Sequence, residues 1–156
     1  RSRPALVAVG CIGRITSFAE TSDGRYLITL TGVCRFAAGE EINARTPYRQ
    51  MRVDYSRFEA DLNVDDETPT AADRARFARA LKHYLNRRDL DIDDDTALTA
   101  PLQPLVTSLT MGLPFEPSEK QALLEAEGLD ERVRALTTLL EIDALEDDDD
   151  PPHSLQ

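Results

Sequence analysis

The chain has 156 residues, 41% hydrophobic and 30% charged, with a formal net charge of −11. That length suits one domain, or one built of two small subdomains, with a real buried core. The acidic balance, five charges of which sit in the run 146–150, argues against partners made of phosphate backbone and against anionic membrane surfaces.

No apolar stretch approaches the roughly 20 residues of a membrane span. No secretory leader is recognisable, so a cytoplasmic location is expected. Cys11 and Cys34 are the only cysteines. They form no CxxC pair and belong to no cluster with metal-ligand spacing. No cofactor and no metal are expected.

The first third reads as β-structure. Val7, Val9, Cys11 and Ile15 occupy odd positions, and Tyr26, Ile28, Leu30, Cys34 and Phe36 occupy even ones. Between them Thr21-Ser22-Asp23-Gly24 is a turn signal. A turn centred between Ser22 and Asp23 pairs residues whose numbers sum to 45. It sets Ile15 against Leu30 and Cys11 against Cys34, so the apolar residues share one face, which is expected to be buried. Gly32 is a candidate bulge that resets the later pairs. Two more strands are expected over 40–45 and 48–55, with Pro47 in the link between them.

Residues 63–69 read as a linker, and the remainder of the chain reads largely as helix. Thr70 is the expected N-cap, with Asp73 three residues on. From there to residue 88, Phe77, Ala80, Leu81, Tyr84 and Leu85 form an apolar stripe. Arg76, Arg79, Lys82, His83 and Arg87 take the other side. After an acidic loop at 89–100, a short helix is expected over 102–112, with Pro104 in its first turn. A third starts at Pro117, buries Leu123 and Leu124 and ends near Gly128. A last helix carries Val133, Leu136, Leu140 and Ala144, flanked by Leu139. From residue 147 onward, acid and proline predict a disordered tail.

Two ordered blocks carry a family resemblance. Gly10, Gly13 and Ile15, then Asp23-Gly24-Arg25, then Leu30, Gly32 and Arg35 resemble the strand signature of Lon protease amino-terminal domains. Leu113-Pro114, Glu119-Lys120-Gln121-Ala122-Leu123-Leu124-Glu125, and then Arg132, Leu136 and Leu139-Leu140-Glu141 resemble that family's helical block. The resemblance implies an α+β fold: a PUA-like β pseudo-barrel followed by a helical bundle. It also implies recognition of exposed or unfolded polypeptide and no intrinsic catalysis, in a stand-alone form without ATPase or peptidase domains. The apolar strand that opens Lon domains has no counterpart before the Gly-Arg-Ile strand. The barrel is therefore expected to be incomplete on its N-terminal side, with edges that invite association.

Catalytic chemistry is not found. Lys82 and Lys120 are the only lysines, and neither follows a phosphate-cradling GxxxxGK[ST] loop. His83 lies on the basic helix face and His153 in the tail, so neither reads as the base of a triad. Ser118 and Lys120 could suggest a dyad, but Ser118 is better read as a helix cap. The acidic loop fails as a calcium site: from Asp89 the sixth position is Asp94 rather than glycine and the twelfth is Ala100 rather than glutamate. Helix 70–88 carries six cations against Asp73. It is a candidate docking face for another protein, although a solvated face balanced by residues 89–95 or the tail is the preferred reading. A disulfide between Cys11 and Cys34 is not expected in a reducing compartment.

The resulting expectation is a β subdomain over 1–62, a helical subdomain over 70–146 and an acidic tail over 147–156. The function expected is non-catalytic binding of unfolded polypeptide. Phe36, Tyr48 and Met51 would supply apolar contact on the β subdomain and its groove against the helices, with Arg35 at the rim. RNA binding by a PUA-like fold, and a regulatory scaffold acting through the helices, are the alternatives. Nucleic acid is disfavoured by the acidic balance.

Overall fold

The computed structural model describes residues 4–62, 69–88 and 99–146, except the side chains of 145 and 146. The expected linker at 63–69 (apart from Pro69), nearly all of the acidic loop at 89–100 and the tail from 147 lie outside these residues. The chain divides into two units, residues 1–65 and 66–156. The fold is α+β.

The first unit is a three-stranded antiparallel meander of β1 (Val9–Glu20), β2 (Tyr26–Ile42) and β3 (Gln50–Asp54), in the order β1-β2-β3. The strand expected at 40–45 is the far end of β2, which runs unbroken for 17 residues. Its pairing with β3 shifts register between Ala38 and Glu41. Such a bulge bends a strand without ending it, which is why one element reads as two.

The turn between β1 and β2 holds three residues rather than two. Thr21 N–H donates to Arg25 O at 2.8 Å, and Gly24 N–H donates to Thr21 O at 3.0 Å. Gly24 has φ +77°, the left-handed conformation that a three-residue hairpin loop demands and that glycine adopts without steric cost. The centre of the turn is therefore Asp23, and pairs near it sum to 46: Glu20↔Tyr26, Phe18↔Ile28 and Ser17↔Thr29. Thr16 is then skipped, which restores the sum of 45 for Ile15↔Leu30 and Gly13↔Gly32. Val33 is skipped next, beside the glycine expected to mark a bulge. The sum returns to 46 for Ile12↔Cys34 and Cys11↔Arg35. Cys11 therefore does not oppose Cys34, contrary to the single-register expectation. The two fall in neighbouring pairs on opposite faces, and both are thiols.

Each bulge reverses the parity of one strand. Phe18 and Ile15, even and odd, come to share a face with Tyr26, Ile28 and Leu30. Phe36, of the same parity as Leu30, is turned to the other face and lies across Gly10. There a Cβ would stand 2.6 Å from the Phe36 ring, so only glycine fits beneath it.

Among its described residues the β unit is buried only at the base of this hairpin, at Val9, Cys34, Arg35 and Phe58. Phe58 comes from the 3-10 segment Ser56–Leu62, which lies against β2 beyond the point where β3 stops pairing.

The second unit is helical: α1 (Ala71–Asn86), α2 (Leu102–Gly112), α3 (Pro117–Glu125) and α4 (Leu129–Glu146). Thr70 caps α1 as expected, its hydroxyl accepting from Asp73 N–H at 3.1 Å. Ser118 is not the cap of α3. Glu116 is, in a reciprocal capping box with Glu119, and Pro117 occupies the first helical position where its missing N–H costs nothing. Helix α3 stops at Glu125, short of Gly128. Phe77, Ala80, Leu81 and Tyr84 of α1 pack with Leu102, Val106, Leu123, Val133, Leu136 and Leu140 in one core. Leu85, Leu105, Leu109, Leu113, Phe115 and Leu139 cover its margins. Leu124, expected inside, is half-buried.

Leu136→Ala, which empties a fully buried site, is expected to cost about 2–5 kcal/mol of stability. Thr70→Ala is expected to cost only about 1 kcal/mol. Urea unfolding followed by helical circular dichroism measures both.

Candidate functional site

Among the described residues, the outer part of the β1–β2 hairpin is exposed on both faces. Pairing and alternation place five apolar residues on one of its faces. Ile15 is 61% exposed, Phe18 64%, Tyr26 60%, Ile28 48% and Leu30 56%. The rings of Phe18 and Tyr26 stack with centroids 5.0 Å apart. Together they present on the order of 500 Å² of exposed apolar surface, comparable to the largest patch of a typical monomer, which is often functional.

The opposite face is mostly polar, carrying Arg14, Thr16, Ser17, Thr29 and Thr31. The Thr16 and Thr31 hydroxyls lie 3.2 Å apart, and Thr16 also donates to Thr29 O at 3.4 Å. Leu27 alone among the large apolar residues near the tip lies on that side. Of the apolar residues expected on one buried face, Ile15, Tyr26, Ile28 and Leu30 do share a face, but Cys34 and Phe36 do not, and the shared face is open rather than buried.

At the tip, Asp23 accepts from Arg25 Nε at 2.8 Å and from the Thr21 hydroxyl. These bonds, the guanidinium first, hold its carboxyl at about 2. This ties the turn closed.

The four residues expected at the contact surface are dispersed. Arg35 is not at a rim. It is 5% exposed, its Nε and Nη2 donate to Asp61 at 2.8 and 2.7 Å, and its backbone N–H donates to the same carboxylate at 2.9 Å. Its guanidinium also lies 4.5 Å from the centre of the Phe58 ring. This clasp fastens the 3-10 segment to β2. Phe36 is half-buried, edge-on to Tyr55 with centroids 6.3 Å apart. Met51 is half-buried on β3 opposite Glu41. Tyr48 is exposed in the β2–β3 connection.

The signal for the hairpin patch lay in Asp23-Gly24. Reading Gly24 as the third residue of a three-residue loop brings Phe18 opposite Ile28.

The remaining candidate chemistry has structural partners. Lys120 Nζ donates to Met111 O at 3.2 Å, near the end of α2, rather than acting on Ser118. Cys34 is buried with its thiol donating to Arg35 O and Phe58 O, and burial raises its pKa, the reverse of an activated nucleophile. His83 is exposed on α1. His153 and the acidic loop lie outside the described residues.

The cations of α1 meet α4. Arg76 forms two bonds with Glu141, Arg88 two with Asp143, and Arg87 donates to Ala144 O. Part of the basic face is thus balanced from inside the helical unit by α4, while the acidic residues 89–95 and the tail that were expected to balance it lie outside the described residues. Among the described residues no group of three or more His, Cys, Asp or Glu could hold a metal. Every buried side-chain nitrogen or oxygen there has a partner. No helix there is long and apolar enough to cross a membrane.

Over residues 1–141 the sequence matches the family described as the ATP-dependent protease La (LON) substrate-binding domain. Among solved structures it is similar to the N-terminal domain of the Lon protease of the Mycobacterium avium complex, at 17% identity and a TM-score of 0.61. The match covers 90% of this chain and 74% of that one. No curated protein matches the sequence.

Removing Arg35 would leave Asp61 without its main partner in a largely dry site. Arg35→Met is expected to lower stability by about 3–5 kcal/mol, measured by denaturant unfolding of the whole chain. In the helical unit, the Arg76 guanidinium holds the Glu141 carboxyl below its ordinary value. A depressed carboxylate contributes stability above its unfolded pKa, about 4.3, and loses it as pH falls through the folded value. Arg76→Ala should therefore reduce stability at neutral pH and flatten its fall in the acid range, as read by thermal unfolding from pH 7 to about pH 3.

Proposed function

Because the chain belongs to the family of LON substrate-binding domains, we propose that it is a non-catalytic module that binds exposed or unfolded polypeptide on the open face of its β1–β2 hairpin. The observation that carries this reading is the patch of Ile15, Phe18, Tyr26, Ile28 and Leu30, apolar and each about half exposed or more. Unfolded segments differ from folded surfaces chiefly in showing contiguous apolar side chains. A flat apolar face gains free energy by covering them without demanding one particular sequence. The stacked Phe18 and Tyr26 rings supply large rigid contact area at low entropic cost, as aromatic anchors do elsewhere.

Catalysis has no support in this arrangement, since among the described residues no base, nucleophile and orienting group are brought together. RNA recognition would call for cations beside stacking rings. At the Phe18–Tyr26 stack the neighbouring Arg25 is engaged by Asp23. Docking through the basic face of α1 is disfavoured by the pairing of Arg76 and Arg88 with α4. We place the activity in the cytoplasm, where Cys11 and Cys34 remain reduced.

Binding of the full chain to a reduced, unfolded polypeptide, followed by fluorescence anisotropy beside single-stranded RNA, tests the reading. Phe18→Ser should weaken polypeptide binding about tenfold, the loss expected for one well-covered aromatic side chain. Raising the salt should change the affinity little, because apolar contact is not screened. Binding of RNA in preference to polypeptide, or of neither, would overturn it.

A further inference from the structure

We propose that the bound segment is extended and joins the sheet as an added strand along the outer edge of β1, with its uncharged apolar side chains lying over the patch. This rests on the hairpin reading above and adds the conformation and chemical class of what is bound.

β1 is the outermost strand of the sheet and is 12 residues long. Among the described residues no strand pairs with its outer side. Alternate residues of an edge strand direct their backbone groups outward, a row of donors and acceptors that an extended chain matches. The patch adjoins this edge, because Ile15 and Phe18 are on β1 itself. A strand added about 4.8 Å away would set every second side chain on the same face, against these two residues. Backbone pairing and apolar contact then act on one ligand, as in peptide recognition by strand addition.

Two further features select the occupant. The face carries no charge from Phe18 and Tyr26 down to Leu30, and its only acid is Glu20 beside the tip. An uncharged segment therefore loses no ionic hydration on docking. The open edge adds a second requirement, because an extended segment reaches the edge and the patch at once and so combines main-chain hydrogen bonds with apolar contact. The bulge at Thr16 kinks the edge midway. Such a kink favours release over permanent sheet extension.

The test uses the full chain and a labelled peptide of alternating valine and threonine, 12 residues long to match β1, on a soluble polyethylene glycol handle. Two versions carry N-methyl groups, each on one alternate set of peptide nitrogens. One set faces β1 in an added strand and the other faces away. One methylated peptide should lose at least about tenfold in affinity while the other binds as the parent does. Ile15→Glu should abolish parent binding. Leu27→Glu, on the opposite face, should leave it unchanged and so controls for added charge. Parent-like binding by both methylated peptides would overturn strand addition while leaving the hairpin face as the contact surface. No binding of the parent, or binding indifferent to Ile15→Glu, would overturn the underlying reading. A concentration-dependent dimer abolished by Ile15→Glu would assign the face to a second copy and also overturn the proposal.

Discussion

The two bulges of the long hairpin, at Thr16 and Val33, decide which side of the sheet its apolar residues occupy. A β-strand alternates strictly, so one skipped residue transfers everything beyond it to the other face. With the turn centred on Asp23, an unbulged hairpin would put Phe18 and Ile28 on one side and Ile15 on the other. The skip at Thr16 brings Ile15 back to them. The skip at Val33 then sends Cys34 and Phe36 to the opposite face and leaves Cys11 and Arg35 on the side of Leu30. The proposed contact surface depends on the first of these irregularities, because the skip at Thr16 gathers Ile15 with the four other exposed apolar residues onto one face.

That surface depends on a small anchor. The β unit buries few side chains, and an isolated two-stranded ribbon is marginal in water. What secures its base is the clasp of Arg35 on Asp61, with Phe58 under the guanidinium and Cys34 beside it. A residue expected to meet a partner thus serves to hold the 3-10 segment on β2, so that the hairpin projects from a fixed root. The helical unit differs in kind, with a continuous core and an α1–α4 contact laced by Arg76–Glu141 and Arg88–Asp143.

The helices were legible in the sequence because their signals are local. Thr70 with Asp73, and the periodicity of Phe77, Leu81 and Tyr84, point to a cap and a stripe that tertiary contacts only reinforce. The limits of α2 at Leu102 and Gly112 arise in the same way from Pro104 in its first turn and Pro114 just beyond its end. The capping of α3 is harder to read because Glu is a less usual cap than Ser, and the reciprocal bond from Glu119 is what makes Glu116 suitable. The sheet was legible in its strands but not in its register. The turn choice between two and three residues rests on the φ of Gly24 alone, and a bulge leaves little trace in composition. The candidate site suffered most, since whether an alternating face is covered or open is not a property of the strand that carries it.

The central claim is that the hairpin face, and not the helical unit, meets polypeptide. Amide chemical-shift mapping of the isotope-labelled chain during titration with an unfolded polypeptide tests it most directly. The account predicts shifts concentrated at Ile15, Phe18, Tyr26, Ile28 and Leu30 and their strand neighbours, with α1 and α4 unmoved. Shifts confined to the helical unit, or none at saturating polypeptide, would contradict it.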